Sequence, residues 1–326
     1  MSGQQVRVAV VGTGPWWGRQ HAIAFSTRTD ARLCAVVGRT RARTEERAAE
    51  FGVPGYVDVD DMLAREKPDL VAVCLPNEGH FEPTLRIIRA GFPLLVEKPL
   101  VFDLDQADQL LTEAAGRELF FAINFNHRYA KPVQLAREAV DAGVLGRLTF
   151  ATWRFGGEPG TSAHRYANLI ETQCHGLDML EHLCGPVSSV MAQMTDACST
   201  LSVALRFENG AVGSLLGTYD SSYSYPDTHR LELNGLDGRV VVEDTVRRYT
   251  YTPAGHEISS VWQAGYFNDR ERDFHATFDR YLDALLPAFV AGEPPPVPAT
   301  AGRRALQLGH RIIESFETGT RVDAPR

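Results

Sequence analysis

A lysine held between a glutamate and a proline, in the run Glu97-Lys98-Pro99, is the feature of this chain best suited to chemistry. It follows a short apolar stretch that predicts a buried strand, and it lies downstream of a Gly12-Thr13-Gly14 turn that predicts a bound dinucleotide. A lysine at the carboxyl edge of such a sheet can stabilise negative charge on a reacting carbonyl oxygen. Together the two features favour hydride transfer. An ordinary surface lysine at a strand end is the plainer alternative.

The glycine turn belongs to the stretch GTGPWWGRQH, which directly follows the apolar run Val6–Val11. Gly12 would permit a tight turn, and Gly14 would let the backbone approach a pyrophosphate at the N-terminus of the next helix. The expected cofactor contacts here are Gly12, Thr13, Gly14, Pro15, Trp16 and Trp17. Trp17 takes the place of the usual third glycine and Gly18 comes one residue late, which leaves the packing of the first helix open. One of the two tryptophans is as well explained by packing.

Basic residues follow the second predicted strand, Leu33–Val37, in the run Arg39-Thr40-Arg41-Ala42-Arg43. A site for NAD usually has an acidic residue here to accept a hydrogen bond from the ribose 2′-hydroxyl. Guanidinium groups would instead suit a 2′-phosphate. We therefore expect Arg39 and Thr40 to bind the ribose end of the cofactor and NADP to be preferred over NAD. Arg41 and Arg43 are as well explained as solvated residues at a helix start.

A second group of chemical residues lies on a helix predicted over Asn168–Cys184. Glu171, His175 and Asp178 are spaced to share one stripe of that helix. A carboxylate one turn from an imidazole would orient the ring and raise its pKa, which suits proton transfer near neutral pH. Removing hydride from a secondary alcohol also requires loss of the hydroxyl proton, which His175 could carry. The alternative is an exposed polar face, to which we assign His182.

Composition limits the class of protein. The chain has 326 residues, of which 44% are hydrophobic and 23% charged, which predicts two globular domains. The net charge of −8 argues against a nucleic-acid partner. The five cysteines form no CxxC pair, so we expect buried free thiols in a reducing cytoplasm. No apolar stretch approaches the roughly 20 residues that a membrane span needs.

The elements that must position these residues change character along the chain. Up to residue 124, apolar strands alternate with helices, which predicts a doubly wound parallel sheet. From residue 125 onward, strands joined by tight turns predict a mostly antiparallel sheet, and two helices close the chain. We therefore predict an α/β protein with a nucleotide-binding domain over residues 1–124 and a second α/β domain over residues 125–326.

With these motifs in order, the chain resembles the glucose–fructose oxidoreductase / inositol dehydrogenase / rhizopine-catabolism family (Gfo/Idh/MocA) over almost its whole length. The resemblance rests on the glycine turn with His21, on Leu75-Pro76-Asn77 with His80, and on Glu97-Lys98-Pro99. It continues through Asn126-His127-Arg128-Tyr129, His175-Gly176-Leu177-Asp178 and the C-terminal tail. It implies a Rossmann domain, a second domain with a large open sheet, and a homodimer or homotetramer formed through that sheet.

The resemblance also implies roles for individual residues. Lys98 matches a catalytic lysine beside the nicotinamide, Pro99 a proline whose peptide bond is often cis, and His175 a general acid/base. Asp178 matches a substrate-binding acid, and Glu171 stands where many relatives have an aspartate. Further cofactor contacts are implied for Leu75, Pro76, Asn77, His80, Glu97, Lys98 and Asn126. The expected substrate contacts are Lys98, Arg128, Arg154, Tyr166, Glu171, His175 and Asp178.

The expected reaction is NADP-dependent hydride transfer to or from a sugar, cyclitol or related polyol or ketosugar. A non-catalytic NADP-binding sensor is the alternative from another class, and reduction of an imine or a tetrapyrrole is the alternative within enzymes. We expect no metal, because the ten histidines are scattered and form no ligand set.

Overall fold

The computed structural model describes residues 5–160, 162–265 and 269–325, apart from the side chains of residues 77 and 269. The chain divides into two compact units, one of residues 1–125 and 281–303 and the other of residues 126–280 and 304–326. This division differs from a single boundary after residue 124, because it places a late segment with the first unit. In the described ranges, none of the helices combines the length and hydropathy that a bilayer span requires.

The first unit alternates strands and helices along the chain. In order these are β1 (Val6–Val11), α1 (Trp17–Thr27), β2 (Ala31–Val37), α2 (Arg41–Phe51), β3 (Gly55–Tyr56), α3 (Val59–Glu66), β4 (Leu70–Val73), α4 (Phe81–Arg89), β5 (Leu94–Val96), α5 (Leu104–Ala115) and β6 (Phe121–Ile123).

These strands form a six-stranded sheet in the order β3-β2-β1-β4-β5-β6, and all the pairs are parallel. Strands β4, β5 and β6 are buried at every residue, as a sheet covered on both faces requires. The strand order reverses at β1 and β4, and ligands of such sheets bind at this point, outside the carboxyl ends of the strands. The residues that follow β1, β4 and β5 therefore occupy the place where a nucleotide is expected.

The second unit contains most of the remaining elements. In order along the chain these are α6 (Lys131–Asp141), β7 (Leu148–Gly156), α7 (Cys174–Cys184), β8 (Val187–Met194), β9 (Thr200–Phe207), β10 (Val212–Thr218), β11 (His229–Gly235), β12 (Gly238–Glu243), β13 (Arg248–Pro253), β14 (Ser260–Gln263), α8 (Ala276–Ala291), α9 (Ala299–Thr318) and β15 (Val322–Asp323). Helices α8 and α9 each contain residues of both units.

The sheet of the second unit has nine strands in the order β14-β13-β12-β11-β7-β10-β9-β8-β15. Its strands pair antiparallel except for β7 and β10, which are parallel neighbours. From Leu201 onward, strand β9 alternates buried and exposed residues, so one face of the sheet is packed and the other is open. The predicted fold class, a doubly wound parallel sheet followed by a mostly antiparallel open sheet, is confirmed.

The sequence patterns did not lead us to predict two of the helices, α3 and α6. The signal for α3 was present, since Asp58 caps it by accepting a hydrogen bond from the backbone N–H of Asp61 at 3.0 Å. Helix α6 begins with a lysine and a proline, and proline is well suited to the first turn of a helix. Both are short amphipathic segments between stronger motifs.

The continuous helix predicted over Asn168–Cys184 is wrong in its first turn. Residues Asn168–Thr172 form a π-helical turn, in which the backbone N–H of Gln173 donates to the carbonyl of Asn168 at 2.9 Å. The α-helix α7 begins only at Cys174. The Gln173 side chain holds the turn by donating to Asn168 Oδ1 at 3.0 Å and to the carbonyl of Phe155 at 3.2 Å. Such turns insert an extra residue and are common at functional sites, so the regular spacing from Glu171 to His175 does not apply.

Candidate active site

The glycine turn after β1 has the geometry of a phosphate-binding turn. Gly12 has a φ of +139°, and a Cβ on it would lie 2.2 Å from the carbonyl oxygen of Cys74. Its N–H donates to the carbonyl of Val37 at 2.8 Å. A Cβ on Gly14 would meet nothing within 4 Å, so this side of the turn is open. Only glycine fits at residue 12, and the side of the turn next to Gly14 is open to an anion.

Gly18, which comes one residue later than the usual third glycine, allows the first helix to pack on the turn. A Cβ on Gly18 would lie 2.4 Å from the carbonyl oxygen of Gly12, so α1 lies directly against the turn. Trp17 lies edge-on to His21, with ring centroids 6.1 Å apart, whereas Trp16 is 60% exposed. Trp17 therefore packs on its own helix, and Trp16 is the more exposed of the two tryptophans.

The turn after β2 presents arginines to solvent. Arg39, Thr40, Arg41 and Arg43 are all exposed. Thr44 is buried and donates to the carbonyls of Gly38 at 3.1 Å and Thr40 at 3.0 Å, which fixes the backbone of the turn. Arg41 lies 3.8 Å from Glu45. The geometry leaves Arg39 and Thr40 at the open carboxyl end of β2, next to the glycine turn.

His80 joins the segment after β4 to the segment after β5. It is buried, with Nδ1 2.9 Å from the carbonyl oxygen of Pro99 and Nε2 2.8 Å from that of Leu75. Burial lowers the pKa of His80, and a neutral ring donates to one of these carbonyls at a time. Pro76 precedes a 3₁₀ turn, and the side chain of Asn77 lies outside the described part of the structure.

Glu97 is the centre of a buried polar network directly before Lys98. Its Oε1 accepts hydrogen bonds from His21 Nε2 at 2.7 Å and from Asn124 Nδ2 at 2.6 Å. Burial acts to raise the pKa of Glu97, but these two partners outweigh it and the pKa is lowered. The peptide bond between Lys98 and Pro99 is cis, and Lys98 is half-buried. The network anchors the backbone from which the lysine projects.

In the second unit, His175 occupies the first turn of α7 and is buried, as is Glu171 in the π-helical turn before it. The next residue, Gly176, lets the helix approach the sheet, since a Cβ on it would lie 2.3 Å from Trp153 Nε1. The ring of His175 stacks on that of His127, with centroids 3.9 Å apart. His175 is therefore held in a fixed orientation.

Arg128 and Asp178, both expected to bind substrate, lie against each other. Arg128 Nε donates to Asp178 Oδ2 at 2.8 Å and its Nη2 to Oδ1 at 2.5 Å, so the pair is bidentate. Burial raises the pKa of Asp178, and Arg128 partly offsets the effect. Arg128 also affects His182. Burial and the nearby charges of Arg128 and Arg137 lower the pKa of His182 to about 3.

Three other expected site residues have protein partners of their own. Tyr166 donates to Glu317 Oε1 at 2.8 Å, and Arg154 donates to Asp227 Oδ2 at 2.7 Å. Asn126 is buried and donates to Thr277 Oγ1 at 2.7 Å. These contacts tie each side chain to a neighbouring segment of its own unit.

A pocket in the second unit adds residues that the sequence did not reveal. Glu171 lines it together with Asn168 and Tyr219, and the Tyr219 hydroxyl lies 2.6 Å from Thr172 Oγ1. Burial is the largest cause of the raised pKa of Tyr219, so the phenol is neutral. His21, Asn124 and His127 are further members of the buried networks. Only His21 and His127 had any sequence signal, because each belongs to a recognised motif.

Among the described residues, no group of three or more His, Cys, Asp or Glu side chains is arranged to hold a metal ion.

Two family models match this chain. The family model described as the oxidoreductase family with an NAD-binding Rossmann fold matches residues 6–125, and that of the GFO/IDH/MocA C-terminal domain matches residues 133–241. The myo-inositol 2-dehydrogenase of Thermotoga maritima is 27% identical, over 96% of this chain and 96% of that protein. The D-glucoside 3-dehydrogenase of Escherichia coli is 35% identical, but over only 47% of this chain and 44% of that protein.

Among solved structures, levoglucosan dehydrogenase in complex with NADH and levoglucosan superposes with a TM-score of 0.89. It is 18% identical, and the match covers 99% of this chain and 100% of that one, which shows a shared fold. The glycine turn, the two-sheet fold and the two family matches lead to one conclusion: this chain belongs to the Gfo/Idh/MocA family of oxidoreductases.

Proposed function

We propose that this protein is an NADP(H)-dependent oxidoreductase that transfers hydride to or from a secondary alcohol or ketone of a sugar, cyclitol or related polyol. The observation that carries the proposal is the buried Glu97 network directly before Lys98, beside an open glycine turn. The residues around Gly12 and Gly14 fit a dinucleotide, which supplies the hydride acceptor or donor when bound. Residues 1–124 provide the cofactor site and residues 125–326 the substrate groups.

In this proposal Lys98 and His175 divide the work. The ammonium of Lys98 stabilises negative charge on the oxygen of the reacting carbon. His175, held by its stacked neighbour, takes the hydroxyl proton during oxidation and returns it during reduction. The Glu97 network orients the lysine, and Glu171 is available to accept a hydrogen bond from another hydroxyl of the substrate.

Two observations support a hydroxylated substrate. The pocket of the second unit is lined by polar groups such as Glu171, Asn168 and Tyr219, which can pair with several hydroxyls. The relatives described above are named for inositol, glucosides and levoglucosan. Arg128 and Asp178 would contact the substrate as a pair, since two hydrogen bonds already join them.

The preference for NADP rests on the turn after β2. Arg39 and Thr40 are exposed at its open end, and no acidic residue occurs between Gly38 and Thr44. A ribose 2′-phosphate would therefore meet guanidinium groups without repulsion.

Two further expectations stand as parts of the proposal. A second copy of the chain covers the open face of the nine-stranded sheet, where Met191, Val212 and Leu216 expose apolar side chains. The protein works in the reducing cytoplasm, which agrees with the burial of all five cysteine thiols.

The decisive test is turnover by a Lys98→Met variant. We expect the wild-type protein to oxidise or reduce members of a polyol and ketosugar panel with NADP(H), followed at 340 nm. The variant should lose at least about 100-fold in kcat, because one donor to developing charge is removed, while NADPH binding measured by fluorescence is kept. Lys67→Met, at an exposed site, is the matched control.

Tight NADPH binding by the wild type with no turnover across the panel would instead favour the sensor. Turnover confined to imines or tetrapyrroles would move the substrate out of the polyols.

A further inference from the structure

Two buried imidazoles lie face to face in the second unit. The ring centroids of His127 and His175 are 3.9 Å apart and the planes differ by 7°. The residues are 3% and 6% exposed. His127 lies in the 3₁₀ turn Asn126–Tyr129, which precedes α6, and His175 lies at the start of α7. Only the fold brings the two rings together.

Aromatic rings enclose the pair on the side of His127. Phe274 meets it edge-on at 5.2 Å, Phe155 edge-on at 6.0 Å, and Trp153 lies tilted at 6.4 Å. Such walls keep water away and disfavour positive charge on either imidazole.

Several ionisable groups lie on the elements around the two rings, including Tyr129 beside Arg128 and His229 against Phe155. Arg128 follows His127 and is bound to Asp178, one turn after His175. Glu171 comes from the π-helical turn before α7. Next to Phe274, Asp273 Oδ1 lies 3.3 Å from Nδ1 of His275.

Parallel stacking determines how the two rings interact. Imidazole nitrogens form hydrogen bonds in the plane of the ring, so face-to-face rings do not share a proton. They act on each other through charge: a proton bound by one ring opposes binding of a proton by the other. Such a pair titrates in two separated steps that belong to both groups.

We propose that His127 is the positioning residue of His175: it fixes the plane of the ring by stacking and limits the pair to one positive charge, so that one imidazole stays neutral. The catalytic meaning of this inference rests on the proposed function, in which His175 accepts a proton. The coupling between the rings does not depend on it.

The test is a pH titration of the full-length protein, with the histidine ring carbons labelled and followed by NMR. Signals are assigned with His127→Phe and His175→Phe. In the wild type we expect the two rings to titrate in steps separated by more than about one pH unit. In His127→Phe, which keeps a flat ring in place, we expect His175 to titrate in one step above the lower step of the wild type. His127→Asn serves the same purpose if the phenylalanine variant does not fold.

A His175 signal that follows the same curve in wild type and variant, or that does not move between pH 5 and 9, would overturn the inference. As a second readout, the acid limb of kcat/KM against pH should move to higher pH in His127→Phe, with KM for NADPH unchanged. Because the NMR titration needs no substrate, coupled rings without polyol turnover would support the coupling and reject the proposed function. Polyol turnover by a protein whose two rings titrate independently would support the proposed function and reject the coupling.

Discussion

At Glu97 the behaviour of one residue depends on neighbours distant in the sequence. A carboxylate this deeply buried is normally unstable as an anion, yet hydrogen bonds from His21 and Asn124 hold it. The sequence singled out the Glu97-Lys98-Pro99 run but gave no sign of Asn124. At this scale residue type suggests the chemistry, and the partners decide which ionisation state is stable.

Substituting Glu97 should produce a pH-dependent loss of stability. The folded pKa is lowered, so its contribution is complete above the ordinary value of about 4.3 and is lost as the pH falls through the folded pKa. We expect Glu97→Gln to lose about 1–3 kcal/mol in the free energy of unfolding by urea at pH 7. The difference in unfolding free energy between the variant and the wild type should become smaller below about pH 4.

The matched control for that measurement is Glu46→Gln, at an exposed site on α2, which should match wild type at both pH values. If the difference in unfolding free energy between Glu97→Gln and the wild type stays constant from pH 7 to pH 3.5, an ionised Glu97 is contradicted.

At the scale of elements, turns at strand ends carry most of the proposed chemistry. The turns after β1, β2 and β5 provide the glycines, the arginines and the lysine, and their positions follow from the parallel order of the sheet. The π-helical turn before α7 was not foreseen, because the side-chain bonds of Gln173 to Phe155 and Asn168 are tertiary and have no local pattern.

The turn after β2 should decide which cofactor is used. We expect Arg39→Ala to raise KM for NADPH by roughly 10- to 100-fold, the value of one hydrogen bond to a charged group, with KM for NADH almost unchanged. Arg43→Ala, in the first turn of α2, is the control. An equal effect of Arg39→Ala on both cofactors would argue against a 2′-phosphate contact.

At the scale of the whole molecule, the second sheet presents one packed and one open face. The packed face of β9 carries Leu201, Val203, Leu205 and Phe207, all buried. The open face carries apolar side chains at Met191, Val212 and Leu216, which a second copy would cover.

We expect the wild-type protein to have the mass of a dimer or a tetramer in light scattering coupled to size exclusion. Leu216→Arg should reduce that mass, because it would bury an unpaired charge in the interface. Val290→Arg, exposed at the end of α8 outside this sheet, should leave the mass unchanged. A wild-type protein with the mass of a monomer would contradict the proposed interface between two copies of the chain.

Local patterns in the sequence were enough to predict the fold class, the family and the glycine turn, and to propose Lys98 and His175 as catalytic residues. These follow from local patterns, since apolar runs, turn residues and short motifs act over a few neighbouring positions. The folded chain was needed to see that Gly18 packs α1 on the turn, that Arg128 and Asp178 bind each other, and that His127 stacks on His175. Each of these contacts joins segments that the backbone path brings together, and burial then makes the energy of each contact depend on its partner.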